Sequence, residues 1–242
     1  MAEGPGTTMS ENSLSVVGLL RQQSWLSPAF PIGAYSYSHG LEWAVEANDV
    51  HDRESLVDWL EADLCHGSGR NEGIFFSEAW RCAGEDDRPR LAELAERAAV
   101  FRGTSELALE SSQQGAACLA MLRRVWPDPI LDSLSAALSE RHLSPALSVV
   151  LGARSAREGI PVRLALATFL MAYVSNQVNA GVRLVPLGQT DGQLAIAELE
   201  RAVVAMSAQV ERTTLDDLGS AAFMVDLSSM AHEGQYTRLF RS

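Results

Sequence analysis

The chain has 242 residues, 31 of them acidic against 19 basic, and a formal net charge of −12. A chain this acidic lacks the concentrated positive field that binding to nucleic acid or to an anionic membrane surface requires. All 19 basic residues are arginine, which removes Schiff-base chemistry and the phosphate-gripping lysine of a Walker A loop.

The first stretch, MAEGPGTTMSENS, has no basic residue and no apolar run, so it does not read as a signal peptide; residues 1–12 are expected to form a disordered leader. A first helix is predicted over 13–24, with Val16, Leu19 and Leu20 on one side, and Pro28 and Pro31 stop it. A second is predicted over 34–47, where Tyr37, Leu41, Ala44 and Val45 make one apolar stripe. Asp52 can cap a helix running through Leu56, Trp59, Leu60 and Leu64 to Gly67, and Asn71 can cap another through Ile74, Phe75 and Trp80.

After a charged loop at 85–88, helices are predicted over 89–102, 104–125, 130–143 and 145–157, the last with Pro145 in its first turn. Pro161 opens a long helix whose residues 164–182 carry no charge, close to the ~20 residues needed to span a bilayer. Ser175, Asn176, Gln177 and Asn179 favour a buried helix of a soluble bundle, where neighbours satisfy the amides, over a membrane span. Two more helices are predicted, over 193–212 and 215–232, before the tail GQYTRLFRS at 234–242. With few β-branched runs, no repeat and no linker, the expectation is an all-α, single-domain bundle over 13–233, of about nine to eleven helices.

Several kinds of chemistry are weakly supported. No G-x-G-x-x-G is present, and no strand is predicted to carry one. Ser36 to Gly40 nearly matches a nucleophile elbow, but within the predicted helix Ser38 and His39 would point about 100° apart. His39, His51, His66, His142 and His232 lack metal-ligand spacing, and the Cys65–His66 doublet supplies too few convergent ligands, so no metal and no cofactor is expected. Cys65, Cys82 and Cys118 form no disulfide framework, which fits the cytoplasm. Between Glu42 and Asp63 eight acids face Arg53 alone, either a solvated face or a docking surface for a basic partner.

Two segments suggest binding. The proline-fixed loop presents Tyr35 and Tyr37 as interface anchors or as core plugs. The tail interleaves Tyr236, Leu239 and Phe240 with Arg238 and Arg241, residue types that dominate interface hot spots. It can dock on its own domain or on another protein.

Three motifs carry a resemblance. SPAFPIGAYSYSHGLEWAVEA (27–47), AGVRLVPLGQ (180–189) and HEGQYTRLFRS (232–242) resemble the signatures of the UreF family of urease accessory proteins. The resemblance implies an all-helical, homodimeric, non-enzymatic assembly chaperone. Such a protein bridges a UreD-type (also called UreH) accessory protein and the GTPase UreG, and the assembly acts on urease apoprotein to insert nickel. GTP and nickel would belong to UreG. The resemblance also assigns partner binding to Tyr35 and to Tyr236, Arg238, Leu239, Phe240 and Arg241. An alternative makes the chain an activator that donates an arginine finger to UreG; a further idea is a nickel relay through Cys65, His66 or His232.

Overall fold

The computed structural model describes residues 15–241; the expected leader at 1–12 lies outside the described residues. Among these, eleven α-helices and two short 3-10 turns make up the regular structure, with no strand. In chain order the helices are α1 (Val16–Trp25), α2 (Leu41–Glu46), α3 (Arg53–His66), α4 (Ser68–Gly84), α5 (Arg88–Val100), α6 (Ser105–Val125), α7 (Pro129–Glu140), α8 (Leu147–Arg157), α9 (Val162–Leu184), α10 (Gln189–Val210) and α11 (Phe223–His232). The 3-10 turns are Ala34–Ser36 and Leu215–Asp217. The all-α reading of the sequence holds.

Helix starts follow local chemistry. Asp52, Asp87, Thr104 and Asp128 each accept a backbone N–H of the first turn, satisfying donors that would otherwise lack an intrahelical partner. The core is centred on α4, whose Ile74, Phe75, Phe76, Ala79 and Cys82 are buried. It lies directly against α8, because Gly152 has no side chain: a Cβ there would sit 2.3 Å from the carbonyl oxygen of Phe76. Phe76 in turn stacks on Phe169 of α9, ring centroids 4.8 Å apart. Each such buried side chain contributes about 1.5–3 kcal/mol.

Four predicted elements need correction. The helix expected over 34–47 is broken into the turn Ala34–Ser36 and the short α2, since His39 and Gly40 both adopt positive φ, 57° and 77°. Gly40 is required there: a Cβ would lie 2.6 Å from the backbone nitrogen of Ser229. Asn71 does not cap α4, which begins at Ser68; it accepts the Gly219 N–H instead. Pro145 precedes α8 rather than entering its first turn. The helix expected over 215–232 begins only at Phe223, because the N–H groups of Gly219 and Ala221 donate to Asn71 and to the carbonyl of His66.

α1 turns Val16 and Leu20 to solvent, while Leu19 packs on the core that Trp25 enters. α9, uncharged over residues 164–182, buries one face, including Leu166, Leu170, Val174 and Val178, and its opposite face borders a groove. Two of its amides are satisfied inside the protein: Gln177 donates to Asp63 and Asn176 to the carbonyl of Ala34, while Asn179 is exposed. No helix among the described residues is long and apolar enough to cross a membrane.

Candidate partner-docking site

The proline-fixed loop separates its two tyrosines. Gly33, at φ 74°, turns the chain into Ala34–Ser36, which leaves Tyr35 66% exposed. Tyr37 goes inward, donating its hydroxyl to Gln113 at 2.6 Å, and burial raises its pKa.

The tail docks beside this loop on its own domain. Phe240 is 4% exposed, and the Arg183 guanidinium lies over its ring, 4.2 Å from the centroid. Arg183 also donates to the carbonyl of Tyr35 at 2.8 Å, and the Arg241 N–H donates to the carbonyl of Ser36 at 2.8 Å. The two consecutive N–H groups of Leu239 and Phe240 donate to the Glu42 carboxylate at 2.6 and 2.9 Å. Behind it, the fully buried His232 meets Glu42 at 3.3 Å through Nε2 and Glu106 at 2.6 Å through Nδ1. Arg238 bonds the second Glu106 oxygen and the carbonyls of Gln235 and Glu233. These hydrogen bonds to the largely buried carboxylates of Glu42 and Glu106 restrict the peptide more than exposed ion pairs would.

Of the residues that the sequence singled out, Phe240 therefore points into the chain's own core. Tyr236 is fully exposed and Leu239 65% exposed. The outward face of α11 is apolar too: Phe223, Met224, Leu227 and Met230 are each half or more exposed. Their spacing puts Phe223, Leu227 and Met230 on one stripe, an uncommon arrangement for a surface with no occupant.

A groove of about 1010 Å³ runs along α9 past Tyr35, Arg183 and Met230. Its floor is polar. His39 lies 2.8 Å from Glu110 and 3.3 Å from the Tyr173 hydroxyl, which donates to Asp63 at 2.7 Å. Burial pushes the His39 pKa down, but Glu110, with Asp63 and Glu72, outweighs it and lifts the group to about 9. Burial and the Asp63 charge push Tyr173 well above the usual phenol range, so it stays a donor. Among the described residues no group of three or more His, Cys, Asp or Glu side chains is arranged to hold a metal. Cys65 is half-buried and His66 exposed at the end of α3, whereas His232 is engaged by its two carboxylates.

The UreF family model matches residues 50–200. The chain is 49% identical over 224 residues to the urease accessory protein UreF of Rhodopseudomonas palustris strain BisB5, covering 93% of this chain and 91% of that one. It is 46% identical over 231 residues to that of Granulibacter bethesdensis, covering 96% and 97%, and 45% identical over 224 residues to that of Bradyrhizobium diazoefficiens, covering 93% and 91%. The chain belongs to the UreF family.

The three UreF-like motifs, far apart in sequence, meet in space: Tyr35 and Glu42 from the first, Arg183 from the second, His232 and Phe240 from the third. Sequence reasoning singled out Tyr35 and the tail but missed Glu42, Arg183 and His232 as the groups that hold them. All three lie inside the motifs, which was the available signal. Glu42 and His232 are 190 positions apart, and no local pattern links them.

Proposed function

We propose that this chain is an assembly chaperone of urease that works by binding. In this reading it forms a homodimer in the cytoplasm and bridges a UreD-type accessory protein and the GTPase UreG, so that nickel reaches urease apoprotein. It contributes no catalytic centre; GTP hydrolysis and nickel are the business of UreG, and the lysine-free sequence fits a partner that leaves the P-loop to another subunit. The observation that carries the reading is the set of large exposed apolar side chains on the loop, the tail and α11: Tyr35, Tyr236, Leu239, and Phe223, Leu227 and Met230. Large aromatic and aliphatic side chains around arginines are the composition of a binding hot spot. The occupant that this reading assigns to the surface is the UreD-type protein.

Co-expression of the tagged chain with UreD-type and UreG partners tests it. The full-length chain is expected to capture both, and a chain ending at Gly234 is expected to lose the UreD-type protein. Equal capture by the two would sink the assignment of this surface.

A further inference from the structure

Glu42 occupies an unusual place for a carboxylate. It lies on the short α2, is almost wholly buried, and faces α11 and the tail rather than solvent. The close approach is set by Gly40, whose missing side chain lets the start of α2 touch the backbone of Ser228 and Ser229. From there the two oxygens divide their work. Oε1 accepts the Leu239 N–H, Oε2 accepts the Phe240 N–H, and Oε2 also meets Nε2 of His232. Two successive backbone N–H groups that converge on one anion form a small cradle, and the anion here is supplied by the protein itself.

We infer that Glu42 is the positioning residue that locks the C-terminal peptide in its register, keeping Phe240 turned inward and Leu239 offered to a partner. Both side chains are large and apolar, so hydrophobicity alone does not choose between them for the single niche under Arg183. The side-chain anchor just before them chooses, Arg238 on Glu106, and the Glu42 carboxylate then locks the next two N–H groups together, since lifting them away would leave its buried oxygens without donors, which is costly in a dry site. His232 keeps the carboxylate in place, itself tethered to Glu106 on α6. Gln235 adds a second tether to α2, donating to Glu46 at 2.6 Å. The consequence for binding rests on the reading given under Proposed function, that the tail docks a UreD-type protein; the register itself does not.

Two variants of the full-length chain test the inference. Glu42→Gln keeps the size but replaces one acceptor oxygen with an N–H donor. It is expected to speed amide exchange of Leu239 and Phe240 at least tenfold by NMR, with the amides of α4 and α8 unchanged. Protection equal to the unaltered chain overturns the inference. The double variant Leu239→Phe, Phe240→Leu leaves Glu42 intact and exchanges the two side chains. A fixed register places leucine under Arg183 and is expected to weaken binding of the UreD-type protein at least tenfold. Full binding by the exchanged tail means that the peptide slips to suit itself, and overturns the inference too. If the chain ending at Gly234 binds the UreD-type protein as well as the full-length chain does, the docking reading has failed. The exchange measurement then decides the register claim alone. Should Glu42→Gln not fold, the double variant still decides it.

Discussion

His39 is held in the left-handed region at φ 57° with Glu110, Asp63 and Glu72 around it. Its folded pKa of about 9 stands above the ordinary 6.5. A histidine raised in this way stabilises the fold fully below about pH 6.5, and that contribution is lost as the pH rises through about 9. The difference corresponds to something on the order of 3 kcal/mol. Unfolding free energy measured in urea is therefore expected to fall between pH 6.5 and 9. His39→Asn, which tolerates the same backbone conformation, should flatten that dependence. An unchanged slope in the variant would assign the effect elsewhere. The cysteines sit at the opposite extreme of reactivity: burial raises Cys82 to about 11 and Cys118 further still. A thiol reagent is accordingly expected to label neither in the native protein at pH 8 and both after denaturation, as intact mass would report.

At the level of elements, the crossing of α4 and α8 depends on Gly152. Gly152→Ala would drive a Cβ against the backbone of Phe76, where nothing flexible can yield. Forced overpacking of this kind costs about 1–3 kcal/mol, so a clear drop in the urea midpoint is expected, and an unaltered midpoint would contradict the close crossing. Which elements were legible in the sequence follows the same distinction between local and distant causes. The starts of α3, α6 and α7 could be read because Asp52, Thr104 and Asp128 act on N–H groups two or three residues away. The break before α2 could not: Gly40 is needed for an approach to Ser229 on α11, and the apolar stripe of 34–47 carries no trace of it. The late start of α11 has the same origin, since the residues before it bond to α3 and α4. At the candidate site, Tyr35 and the tail stood out by composition, whereas Glu42 was hidden in an acidic run. Six of the eight acids of that run are exposed as a solvated face would require; Glu42 and Asp63 are buried, each with specific hydrogen-bond partners.

Across the whole molecule, the last residues of the chain close a loop between the first and second motifs, and one peptide thereby serves two ends. Phe240 fills a niche of the core, while Tyr236 and Leu239 stand in solvent. Loss of partner binding on truncation could therefore arise from lost contacts or from a weakened fold, and the two are separable. Burial of Phe240 contributes about 1.5–3 kcal/mol, which at ~2–4 °C per kcal/mol for a chain of this length predicts a fall in Tm of about 5 °C or somewhat more for the chain ending at Gly234. Phe240→Ala should reproduce most of that fall. Tyr236→Ser with Leu239→Ser removes only exposed surface, so Tm should stay within about 1 °C while binding of the UreD-type protein weakens. If the exposed pair proves silent in binding and Phe240→Ala alone abolishes it, the tail acts only as a brace for the loop that carries Tyr35. The partner would then read that loop instead of the tail.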